Sequence, residues 1–113
     1  MLFRSTIIYY SDAIQADILA LLEGLRGRYL ALTDRMKMFG ANLGEPHTKA
    51  FGDGLFELRL KSAEGIARVF YCTLVGQRIV ILHSFVKKSQ KTPVHELRIA
   101  ITRMKEIKHA DPR

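Results

Sequence analysis

Three stretches of this sequence carry side chains whose type and spacing could handle a phosphodiester. In LFELRL, Glu57 and Arg59 stand two apart; Arg68 interrupts the apolar run IARVFYC; and RIVILHSFVKKSQKTP, residues 78–93, loads the end of an apolar strand with His83, Phe85, Lys87 and Lys88. Side chains two apart on a strand share a face. If the three segments pair as neighbours, a carboxylate, guanidinium groups, ammonium groups and an imidazole collect on one part of one sheet. That inventory suits an anion site, and a phosphodiester-cleaving one: fixed cations hold the charge that builds on nonbridging oxygens, and a carboxylate or imidazole moves the proton.

Each feature also has a plainer reading. The row Glu57, Arg59, Lys61 could be a solvated strand face with cross-strand ion pairs, which contribute little. Arg68 sits among residues suited to burial, so it needs either a structural partner such as Glu57 or an anionic ligand. His83 could be a satisfied histidine at a strand end. Lys87, Lys88 and Lys91 could be solubilising charge that guards a strand end. The histidines at 47, 83, 95 and 109 show no metal-ligand spacing, and the GDG at 52–54 lacks the spacing and the Lys-Ser/Thr ending of a phosphate loop. No metal or cofactor is expected, leaving metal-free phosphodiester chemistry or simple polyanion binding.

The elements that must position these groups can be read along the chain. Leu2 to Tyr10 reads as a strand, and Ser11 with Asp12 can cap a helix. Ile14, Ile18, Leu21, Leu22 and Leu25 recur at helical spacing, weakening at Gly24 and Gly27; a second helix is predicted from Tyr29 to Phe39. The two helices form a hairpin over a sheet face. Gly40 to Pro46 is loop. In LFELRLK, Phe56, Leu58 and Leu60 face one way and Glu57, Arg59 and Lys61 the other. With Ile66–Leu74 and Arg78–Lys87 this stretch makes a three-stranded meander. A last helix starts at Thr92 and Pro93, Thr92 being the predicted cap, with an apolar stripe of Leu97, Ala100, Ile101, Met104 and Ile107. His109 to Arg113 reads as a frayed tail.

One domain of α+β class accounts for 113 residues, 48% of them hydrophobic. The formal charge of +7 favours a polyanionic partner over a neutral ligand. From His83 to Lys108, seven basic residues (Lys87, Lys88, Lys91, Arg98, Arg103, Lys105, Lys108) face two acidic ones (Glu96, Glu106), so most of the excess lies there. A single cysteine, Cys72, can form no internal disulfide and reads as core. No apolar run is long enough to span a membrane, and the N-terminus lacks a cleavage pattern, so a cytoplasmic protein is expected.

The order and wording of GLFELRL, ARVFY, ILHSFVKKSQKTP and the basic helix after them resemble the HigB-like branch of the RelE/ParE toxin superfamily, bacterial proteins encoded beside an antitoxin. The resemblance implies a small antiparallel sheet covered by the helical hairpin, with the last helix at its edge. It implies the toxin of a type II toxin-antitoxin pair, with a helix-turn-helix antitoxin and the ribosome with its messenger RNA as partners. The activity implied is ribosome-dependent endoribonuclease cleavage: the ribose 2'-hydroxyl attacks phosphorus, leaving a 2',3'-cyclic phosphate and a 5'-hydroxyl. Arg68 and Arg59 would stabilise the phosphorane, Glu57 or His83 would take the proton, and Lys88 or His83 would return one to the leaving oxygen. Lys87, Lys91 and Arg98 would bind RNA, and Phe85 or Tyr71 could stack on a base. Glu57 stands where the RelE-like pattern is basic, which leaves the general base open. The alternatives are a non-enzymatic gyrase inhibitor of ParE type and an inactive phage-type protein that binds nucleic acid.

Overall fold

The structure is a computed structural model, and it describes residues 4–88 and 91–112. Five strands, β1 (Thr6–Tyr9), β2 (Thr48–Gly52), β3 (Leu55–Ser62), β4 (Gly65–Leu74) and β5 (Arg78–Val86), form one sheet in the order β1-β5-β4-β3-β2. Three helices accompany it: α1 (Asp12–Leu19), α2 (Glu23–Phe39) and α3 (Val94–Ala110). This is the α+β architecture expected, with β3, β4 and β5 as the antiparallel meander.

Strand alternation divides the core in two. Leu58 and Leu60 of β3, Val69 and Tyr71 of β4, and Ile79 and Ile81 of β5 meet Ile14 and Ile18 of α1 and Leu25, Tyr29, Leu32 and Met36 of α2. The opposite parity, Leu55, Phe70, Cys72, Val80 and Leu82, meets Ala100 and Met104 of α3. The last helix therefore packs on the second face of the sheet, not at its edge. Sequence could not separate these placements, because an amphipathic stripe says only that something covers it.

Several boundaries differ from expectation for identifiable reasons. β1 is shorter than predicted and pairs parallel with β5, so the sheet is mixed; residues 2–3 of the predicted strand lie outside the described residues. β2 was not foreseen: a short edge strand that pairs with β3 through a register shift between Ala50 and Gly52 leaves little alternation to read. The break between α1 and α2 falls at 20–22, before both glycines. Arg26 closes it by donating from Nη1 to the carbonyls of Leu19 and Leu21, each at 3.2 Å. Gly24 is inside α2 because the β3–β4 turn presses on it. Its N–H donates to Glu64 Oε1 at 2.5 Å, and a Cβ there would lie 2.5 Å from that same oxygen.

At the C-terminus, α3 continues through Ala110 where a frayed tail was expected, because Arg78 clamps the Asp111 carboxylate with both Nη atoms, at 3.1 and 2.9 Å. The Lys108 ammonium also donates to the Asp53 carbonyl. At its start, Pro93 occupies the cap position with no side-chain cap bond, and the Thr92 hydroxyl is engaged elsewhere. Cys72 is buried, and burial pushes its thiol pKa up to about 11, which fits the core role expected. Among the described residues no helix is long and apolar enough to cross a membrane.

Candidate active site

The polar positions fall into rows across the face that α3 partly covers. Strand pairing aligns Lys49, Glu57, Phe70 and His83 in one row and Arg59, Arg68 and Phe85 in the next. A third row joins Lys61 and Ile66 and ends at Lys87, whose backbone N–H donates to the Ile66 carbonyl at 2.8 Å. The convergence predicted for β3, β4 and the end of β5 is present, on the face away from the helical hairpin.

Glu57 is the hinge of the arrangement. Its side chain is 1% exposed, and Oε1 faces Arg59 Nε at 3.5 Å and Arg68 Nε at 3.6 Å. Both Nε atoms are buried and make no hydrogen bond, so each guanidinium meets the carboxylate as an ion pair only. Oε2 accepts from the Thr92 hydroxyl at 2.8 Å. One buried carboxylate thus faces two arginines with Lys87 close by, and the exposed Glu45 adds a single contact to Arg59, Oε1 at 4.0 Å from Nη1. The remaining positive charge registers on the lysine: burial and then Arg68 lower its pKa, Arg59 and Lys49 add to the effect, and Glu57 opposes it. Arg68 shows the same frustration, its pKa lowered first by burial and then by Arg59, against Glu57. An oxyanion placed over this surface would relieve both.

His83 reaches this face through a β-bulge. The β4–β5 register passes from Phe70 opposite His83 to Tyr71 opposite Ile81, which leaves Leu82 without an opposite residue. Leu82 and His83 can then both turn toward α3, Leu82 into its core and His83 Nε2 onto Glu96 Oε2. The His83 and Glu96 side chains are 14% and 20% exposed, a wet-edged but sheltered pair. Phe85 stacks at 6.0 Å from Phe70 and 6.1 Å from His83, so its ring steadies the imidazole.

Not every predicted residue belongs. Tyr71 is fully buried on the hairpin face, donating its hydroxyl to the Ala41 carbonyl at 2.5 Å, so it is core and cannot stack on a base at this site. Arg98 is exposed on α3 and lines a separate groove with Tyr10 and Glu106. Lys88 and Lys91 are exposed on the segment that leads to α3, while Ser89 and Gln90 between them lie outside the described residues. Glu57, offered as a general base, is sealed beneath two arginines and Thr92. Sequence reasoning missed Lys49, which needed β2 to be recognised, and Glu96, whose contact depends on how α3 docks. It also misread Thr92 as a helix cap.

A single mixed sheet, sandwiched between a helical hairpin and a C-terminal helix and bearing an arginine cluster around Glu57 beside a His–Glu pair, defines a small basic α+β protein built around one polar face. The family model described as phage derived protein Gp49-like matches residues 16–105, and the chain belongs to that phage-derived, toxin-like family. The matched span runs from α1 into α3 and contains every residue of the cluster. No curated protein matches the chain.

Proposed function

We propose that this chain is the toxin of a type II toxin-antitoxin pair, a HigB-like member of the RelE/ParE superfamily, acting in the cytoplasm as a ribosome-dependent endoribonuclease. The observation that carries the reading is Glu57 Oε1 shared between Arg59 Nε and Arg68 Nε with Lys87 alongside. The carboxylate draws the inner edges of two guanidinium forks together and orients them without neutralising the group, which is what a phosphorane with charge on its nonbridging oxygens calls for.

His83 is the proton acceptor in this scheme. An ionised carboxylate only accepts hydrogen bonds, so Glu96 holds the Nε2–H tautomer and leaves the Nδ1 lone pair free to take the 2'-hydroxyl proton. As the 2'-oxygen bonds to phosphorus, the bond from phosphorus to the 5'-oxygen breaks, giving the cyclic phosphate and a protonated 5'-hydroxyl. Lys87 supplies that last proton, because burial and its cationic neighbours already favour its loss. Lys88 and Lys91, exposed on the same segment, meet RNA phosphates, and a helix-turn-helix antitoxin restrains the toxin.

Induced expression with pulse-labelled precursors tests the proposal. Translation should fall before DNA synthesis, with cleaved messages on ribosomes. Replication arrest that comes first, with gyrase-linked DNA breaks, would instead establish the ParE-like inhibitor.

A further inference from the structure

The cationic surface does not stop at Arg68. A groove of about 510 Å³ leads from Arg59 and Arg68 past Lys61 and Ile66 to Pro46, His47 and Arg28. Arg28 belongs to α2, in the layer that covers the other face of the sheet, yet its Nη2 lies 3.4 Å from His47 Nδ1, just ahead of β2. The groove therefore wraps the β2 end of the sheet and draws its cations from α2, β3 and β4. Its acidic groups are Glu57, sealed below the arginines, and Glu45, exposed at the rim with Oε1 at 4.0 Å from Arg59 Nη1.

Two features narrow the ligand. The volume falls within the roughly 300–1,000 Å³ of small-molecule sites. The cations are spread along the groove, and Ile66 and Pro46 give it an apolar strip. Spaced cations beside an apolar strip match a nucleotide, with its phosphate on the charges and a base or sugar on the carbons, better than a compact anion or an acidic peptide. We propose that this groove is a subsite for the nucleotide adjoining the scissile phosphate, with that nucleotide's outer phosphate held by Arg28 and Lys61. The proposal rests on reading the Arg59–Arg68 cluster as the phosphodiester site.

Binding of a 2'-O-methyl RNA tetranucleotide, which cannot be cleaved by 2'-hydroxyl attack, separates this subsite from the cleavage reading. Fluorescence anisotropy would compare it with a 2'-O-methyl dinucleotide for the wild-type protein, Arg28→Ala and Lys61→Ala, across a salt series. Arg28 and Lys61 are both exposed, so neither replacement threatens the fold. Each variant should weaken the tetranucleotide several-fold, lower its log–log salt slope by about 0.7, and leave the dinucleotide unchanged. Unchanged tetranucleotide affinity and slope, or equal losses for both lengths, would overturn the subsite. So would an acidic peptide that depends on Arg28 more than the RNA does. A protein that binds as predicted yet never cleaves messages would instead refute only the nuclease reading.

Discussion

The Thr92 hydroxyl donates to Glu57 Oε2 at 2.8 Å, joining the approach to α3 to the centre of the sheet. The same carboxylate's other oxygen faces both arginines, so Glu57 couples the seating of α3 to the aim of Arg59 and Arg68.

Replacing Glu57 with Gln leaves the sheltered Arg68 guanidinium without a countercharge and Arg59 with only the exposed Glu45, and should cost about 3 kcal/mol of stability, measured by urea denaturation. Thr92→Val should cost about 1.5 kcal/mol, the range for a hydrogen bond to a charged group. If Glu57 were the general base, Glu57→Gln would abolish cleavage in protein that is still folded. As an orienting group, it should lower the rate less than His83→Ala does.

His83 and Glu96 make a separable prediction. In ¹⁵N spectra of the neutral imidazole, His83 should appear as the Nε2–H tautomer, and Glu96→Gln should erode that preference. Cleavage by Glu96→Gln should then lose kcat with KM nearly unchanged, and Glu96→Asp should restore part of it. An Nδ1–H tautomer in the wild-type protein would remove His83 as the proton acceptor.

Much of this site was legible because strand parity is strict. Glu57 and Arg59 had to share a face of β3, and the β3–β4 register, which puts Arg59 directly opposite Arg68, brings Arg68 onto it. What escaped depended on long-range docking. The Glu96 contact requires α3 on the second face and a bulge at Leu82 that breaks the alternation a reader would count. Lys49 sits on an edge strand too short to show a period. Gly24 looked like a helix breaker because a missing Cβ reads the same whether it frees the backbone or makes room for Glu64.

Lys87 gives the pH dependence. Its folded pKa lies below the ordinary lysine value, so through that window the unfolded chain binds more protons and folding stability rises with pH. A bound phosphate favours the ammonium form and reverses the sign for the complex. RNA affinity should therefore be full below the lowered pKa and decline as pH climbs through it, before ordinary lysines titrate. Lys87→Met should abolish that decline while raising Tm slightly at neutral pH. Calorimetry and a binding titration carried into the lysine range check the two halves.

The most direct measurement is single-turnover cleavage of a messenger on a programmed ribosome, read by primer extension, for wild-type protein and Arg68→Ala shown by circular dichroism to be folded. Arg68 keeps its charge under ordinary conditions and can hold two phosphate oxygens at once. Its loss should remove about 3 kcal/mol of transition-state stabilisation, roughly a hundredfold in rate. Ribosome binding should fall far less, because Lys91, Arg103, Lys105 and Lys108 remain to supply long-range attraction. A folded Arg68→Ala protein that cuts at the wild-type rate would contradict the assignment of this arginine cluster to catalysis.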